Sequence, residues 1–148
     1  MTTRADQLKT FIGRTNGREI VTPCTGHPAW DAQCKDLVDA WSRFLGKHCF
    51  TGNAVALKPT RAGEWKWVPN SPSGIPPVGA VVVVSHWSRG SDGRWYNFGH
   101  TMIAMPRCTT HTIYSFDQNW SSPHHARPET HVGYNVTNWR VLGWWIPL

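Results

Sequence analysis

Leu37, Val38, Trp41, Phe44 and Leu45 recur at three- and four-residue spacing, the period of a helix with one buried face, and Gly46 supplies a stop. Asp31 is the expected N-cap, which puts Cys34 in the first turn. A shorter amphipathic stretch near Ala5 to Gly13 predicts an earlier helix, followed by a loop through Pro23, Gly26 and Pro28. Beyond residue 70 the pattern changes. Pro72, Gly74, Pro76 and Pro77 mark a loop, after which Val81 to Val84 form the continuous apolar run of a buried strand. Ser91, Asp92 and Gly93 turn the chain back, so Trp95 to Met105 is expected to pair antiparallel with the valine run as a hairpin. Further strands are expected at His111 to Asn119 and Asn138 to Ile146. A helix-rich half followed by a strand-rich half indicates an α+β domain.

A length of 148 residues suits one domain, and 40% hydrophobic with 16% charged residues is a globular composition. No apolar run approaches the roughly 20 residues that span a bilayer, so membrane insertion is not expected. Met1 to Lys9 is polar and lacks the apolar core of a secretory signal, so export by another route is expected. The 15 Lys and Arg against 9 Asp and Glu give a net charge of +6, which favours approach to polyanions. The basic residues are spread along the chain without a helix-turn-helix, zinc-finger or RNP pattern, so nucleic acid is not the expected partner. Cys24, Cys34, Cys49 and Cys108 match neither a disulfide framework nor a CxxC pair. Cys24 with His27, and His48 with Cys49, lack partners at metal-finger spacing, which leaves buried thiols or one disulfide as the expectation.

Three separated segments carry candidate chemistry. Cys34 at a helix start lies where N–H groups and the helix dipole favour a thiolate, although most helical cysteines are packing residues. His100 falls within an apolar strand on the face of Met102 and Ala104, where an imidazole can be held rigidly near neutral pKa as a general base; a structural histidine is the ordinary alternative. Asp117 and Asn119, two apart on a strand, are expected to leave the same face and orient that imidazole, although both residues are also common in turns. Their co-occurrence in one small domain raises all three sites above their separate readings.

Ala32 to Val38 around Cys34, Pro76 to Val82, Gly99 to Ala104, and Asp117, Gln118, Asn119, Trp120 occur in the order of the signatures of CHAP domains, which this chain resembles over roughly residues 20 to 148. The ending Val141, Leu142, Gly143, Trp144 with Pro147 is also similar. The resemblance implies a papain-like α+β fold: a single domain over 1–148, residues 1–19 being a helical segment, with N-terminal helices packed on an antiparallel sheet. It implies cleavage of amide bonds in bacterial peptidoglycan by a monomer, as in phage lysins made in the host cytoplasm or carried on virions and bacterial autolysins. Carried over, Cys34 is the nucleophile, His100 the base, Asp117 the orienting acid and Asn119 the accompanying polar residue. Gln33 is then a candidate oxyanion donor, with an outward solvated side chain as the equal alternative, and Trp120 a groove residue. Trp41, Trp144 and Trp145 read as packing residues, while His124, His125 and His131 read as a solvated loop, with a substrate-facing flap as the lesser account.

Many phage CHAP domains carry an Asp-rich calcium loop before the nucleophile, whereas only Asp31 and Asp36 stand there in this chain. Calcium needs six to eight oxygens, so no cofactor is expected. Two other classes account for part of the pattern: a noncatalytic glycan-binding module rich in Trp, and a thiol amidase with a substrate outside the wall.

Overall fold

The computed structural model describes residues 1–148 except 25, 27–31, 122, 123 and 137 and the side chains of Asn135 and Val136. Its elements are α1 (Arg4–Thr15), α2 (Cys34–Phe44), β1 (Phe50–Thr51), β2 (Lys58–Pro59), β3 (Trp65–Pro69), β4 (Val81–Arg89), β5 (Trp95–Asn97), β6 (His100–Ala104), β7 (Thr112–Asp117), β8 (Arg127–Val132), β9 (Asn135–Val136) and β10 (Trp139–Pro147). The main sheet runs β3-β10-β4-β6-β7-β8 with antiparallel neighbours; β5 extends the far half of β4, and β9 pairs with β10.

Thr3 and Asp6 form a reciprocal capping box that starts α1. Helix α2 begins at Cys34 with Gln33 as its N-cap, not Asp31, which lies outside the described residues. Leu37, Val38 and Trp41 on α2 are completely buried with Leu8 and Phe11 of α1 against Val81, Val83, Ile103 and Phe116 of the sheet. Burying each such aliphatic side chain contributes roughly 1.5–3 kcal/mol, which is what fixes α2 on this face. The alternate strand residues, among them Val82, Val84, Met102, Ala104 and Ile113, form a second cluster with Trp139 and Trp144. This is the expected α+β arrangement of helices on an antiparallel sheet.

A polar stripe on α2 is also buried. Asp36 accepts from the Thr22 backbone N–H at 3.2 Å and its hydroxyl at 2.9 Å, Asp39 accepts from Phe50 N–H at 2.7 Å, and Ser42 donates to the His48 carbonyl at 2.6 Å. These bonds hold the two segments that carry Cys24 and Cys49, which form a disulfide. The bridge closes a loop containing the whole of α2.

The expected hairpin is present but broken. Val81 to Val84 pair with Ile103 to His100, Trp87 to Arg89 pair with Asn97 to Trp95, and Gly99 at φ +75° separates the two ladders. The strand expected at His111 to Asn119 ends at Asp117. Five strands escaped the sequence pattern: β3 and β8 of the main sheet path and the two-residue strands β1, β2 and β9. Pro128 lies within β8 opposite Phe116, a position an edge strand tolerates because its N–H is not needed by a further neighbour.

Candidate active site

Cys34 opens α2, and Gln33 makes no side-chain cap bond, so the positive end of the helix dipole meets the thiol. Gln118, completely buried, fixes that helix start. Its amide donates to the carbonyls of Gln33 at 3.0 Å and Ile20 at 2.9 Å, and its oxygen accepts from Ile20 N–H at 2.8 Å. Asn119 adds a bond from its amide to Gln33 Oε1 at 2.6 Å. The residues just after β7 therefore position the helix of Cys34 across the molecule.

His100, the first residue of β6, is buried and donates from Nε2 to Asp117 Oδ2 at 2.7 Å. That bond leaves Nδ1 for the thiol, with which the ring is hydrogen-bonded. Asp117 has no exposed surface. Its Oδ1 accepts from the Ser115 hydroxyl two residues back on β7, and its Oδ2 also accepts from His131 Nε2 at 2.9 Å.

These contacts set the charges. Burial pushes the Asp117 carboxyl up, but the imidazole N–H bonds from His100 and His131 outweigh it and hold the group at about 2. Burial pushes His100 down, yet its bonds to Asp117 and Cys34 push it up to about 10. Burial likewise opposes the Cys34 thiolate, and the hydrogen bond and charge of His100 reverse that and lower its pKa. The three groups titrate as one coupled unit in which imidazolium and thiolate stabilise each other. The expectation of a near-neutral imidazole is corrected: a fully buried carboxylate on one side and a thiolate on the other both favour the charged ring. The other free thiol, Cys108, contrasts with Cys34, because burial raises its pKa and it donates to the Met105 and Tyr114 carbonyls.

A groove of about 1020 Å³ opens onto this pair, with Gln33, Cys34, His86, Phe98, His100, Asn119 and Trp120 in its lining. Trp120 stands where the sequence expected a groove residue. Its half-exposed ring centres 4.8 Å from that of His100, 5.0 Å from His131 and 5.1 Å from His86. Trp41 and Trp144 are buried as expected, and Trp145 is partly buried. Trp65 and Trp139 are buried, Trp87 and Trp95 are exposed, and Trp30 lies outside the described residues.

Two expectations are corrected here. Asn119 does not share the face of Asp117: β7 has ended, its φ is +59°, and its side chain serves Gln33 rather than His100. His131 is not a solvated loop residue but lies buried on β8, paired with Ile113, whereas His124 and His125 are exposed. His131, Ser115, Gln118 and His86 were missed as site residues. Only Ser115 had a readable signal, being two residues before Asp117 on one strand; the others required the pairing register.

Among the described residues, two clusters have metal-ligand composition: His100 with Asp117 and His131, and Cys24 with Asp39 and Cys49. The first is occupied by its own hydrogen bonds, and in the second the two sulfurs are joined. Of the two carboxylates before and after the nucleophile, Asp31 lies outside the described residues and Asp36 is buried on Thr22. Of the pairs Cys24 with His27 and His48 with Cys49, His27 lies outside the described residues, the two cysteines are joined to each other, and His48 bonds Glu64 at 2.7 Å.

No protein-family model and no curated protein matches the chain. Among solved structures it is similar to the wild-type endolysin LysIME-EF1, at 28% identity and a TM-score of 0.62 over 99% of this chain and 65% of that one. The fold is endolysin-like. It is also shared with Ly7917, whose structure was determined with the hydrolyzing product of MDP, at 14% identity and a TM-score of 0.62 over 98% of this chain and 63% of that one. The chain thus spans a little under two thirds of the length of either. No helix among the described residues is long and apolar enough to cross a membrane.

Proposed function

We propose that the protein is a CHAP-type peptidoglycan hydrolase that cleaves an amide bond of the bacterial wall by thiol catalysis. The observation that carries this reading is a helix-start thiol hydrogen-bonded to a buried imidazole, itself bonded to a buried carboxylate, at the base of an open groove. Its similarity to an endolysin, LysIME-EF1, supports the wall as the substrate.

The Cys34 thiolate attacks the amide carbonyl carbon, and the carbonyl electron pair moves onto oxygen. That oxyanion is met by the Cys34 backbone N–H and by the Gln33 amide, whose Oε1 is engaged by Asn119, leaving its Nε2 to donate. The tetrahedral intermediate collapses, and His100 passes the Nδ1 proton to the departing amine as the C–N bond breaks. Water then gives a proton to Nδ1 as its oxygen attacks the thioester, which releases the acid and restores the ion pair. Throughout, His100 Nε2–H stays on Asp117, so the carboxylate orients the ring without taking its proton. The net charge of +6 suits a wall bearing anionic polymers. The mechanism is written without a metal, a reading supported by the sequence, where only Asp31 and Asp36 stand as carboxylates near Cys34.

The test is turbidity loss of purified cell walls by the parent and by Cys34→Ala, each with and without a chelator. The expected result is lysis by the parent that survives chelation, and none by the variant. Equal lysis by Cys34→Ala would remove the nucleophile, and chelator inhibition reversed by added calcium would contradict the metal-free reading. Mass spectrometry of the fragments then names the bond, since each class of amide leaves a different new amino terminus.

A further inference from the structure

Asp117 carries more than the triad requires. Its Oδ2 accepts from His100 at 2.7 Å and equally from His131 at 2.9 Å. A carboxylate that only oriented His100 would need one such donor. His131 is held firmly in place, because its ring lies flat on Trp139, with centroids 4.9 Å apart at 11°, and meets Trp120 edge-on at 5.0 Å. Strand register delivers it, since Ile113 pairs with His131 while Ser115 and Asp117 follow on the same face of β7. An ionised carboxylate only accepts, so the His131 nitrogen facing it must carry hydrogen.

From this we infer that His131 is a second positioning residue of the site, which anchors Asp117 and shares its Oδ2 so that the carboxylate does not bind the His100 imidazolium too tightly. The inference rests on the thiol-hydrolase reading above. Two donors on one oxygen divide its negative charge between them. If one is removed, the whole charge falls on His100, whose imidazolium then yields its proton less readily to the departing amine. Loss of the anchor also frees Oδ2 to move. The charged and titratable groups around the pair are Cys34 from α2, His86 near the site from β4, His100 from β6, and Asp117 with the Ser115 hydroxyl from β7. His131, like the Ser115 hydroxyl, bonds to the reacting groups only through Asp117, and of the two it is the one that shares Oδ2 with His100.

His131→Phe keeps the ring stacked on Trp139 and removes the nitrogens, while His131→Gln restores an N–H at about the same reach. The rate of wall lysis should fall about 10- to 100-fold in the Phe variant, the range for losing one hydrogen bond to a buried charge. Its alkaline limb, where His100 loses its proton, should move to higher pH, and the Gln variant should recover most of the rate and the parental limb. Parental rate and limb in a folded Phe variant would overturn the inference. So would a slow Phe variant with an unmoved limb and no recovery in Gln, the signature of packing alone. If the Phe variant does not fold, a folded but inactive Gln variant is equally fatal. Cys34→Ala separates the two layers: lysis by that variant rejects the thiol reading itself, whereas an inert Cys34→Ala beside an unaffected Phe variant rejects only the role of His131.

Discussion

His100, Ser115, Asp117 and His131 stand on three adjacent strands, β6, β7 and β8, where ladder register alone brings their polar atoms together. Cys34 reaches them from a helix on the other side of the chain's midpoint, and its approach depends on side-chain bonds from Gln118 and Asn119 to residues about 85 positions away. The imidazole side is set by backbone pairing and buried on all sides. The thiol side is set by a few polar contacts and a disulfide next to open space. Rigidity of the imidazole and adjustability of the thiol thus come from two different kinds of interaction, and each can be disturbed without the other.

Asp117→Asn attacks the strand side most directly. It should leave the fold intact and lower turnover by about 10³- to 10⁴-fold, because an amide can favour the wrong imidazole tautomer. Without the counter-charge the His100 proton is lost more easily, so the alkaline limb, near pH 10 in the parent, should move down, opposite to the shift expected for His131→Phe. A pH series of lysis rates checks both signs; an unmoved limb would mean that Asp117 does not govern the ring.

Gln118→Leu attacks the helix side. The change leaves the Ile20 N–H and two carbonyls without their partner, at about 1–3 kcal/mol for each unsatisfied buried group. The expected outcome is a lower melting temperature together with slower Cys34 alkylation by iodoacetamide, while the acid-limb contribution of Asp117 is retained. That contribution has a definite sign: a carboxylate held at about 2 stabilises the fold above the ordinary carboxylate range, and loses this as pH falls toward about 2. Parental alkylation rates in the Leu variant would show that the helix start is held by something other than Gln118.

The smallest effect on turnover is expected from opening the disulfide. Cys49→Ser releases a loop with a sequence separation of 25, worth about 3 kcal/mol of stability in the chain-entropy picture. Asp36, Asp39 and Ser42 still hold both segments, so lysis well below the melting temperature should change by less than about 5-fold, an activation difference of roughly 1 kcal/mol. Thermal melts and lysis rates of parent and variant decide this; a collapse of activity with unchanged melting would make the bridge part of the groove's working shape.

The uneven legibility of the chain follows the same division. The helix around Cys34, the valine strand and the hairpin, though not its break at Gly99, were readable because periodicity and turn residues are local signals. His131 was not, since Pro128 imitates a loop and the histidine's significance appears only when β8 is laid beside β7. Asn119 failed for a neighbouring reason: strand alternation was extended two residues beyond the point where the backbone turns left-handed. The near-neutral imidazole failed because pKa depends on burial and partners that the sequence does not place.

Gly99 ties the groove's outer rim to its base. A side chain there would bring Cβ within 2.5 Å of both the Val55 nitrogen and the Val84 oxygen, in a conformation other residues rarely adopt. Immediately before it lies Phe98 on the rim, and immediately after it His100. The projecting aromatic arm and the His100 ring therefore pivot about one atom-sized gap, and any attempt to re-aim the arm would have to carry the imidazole with it.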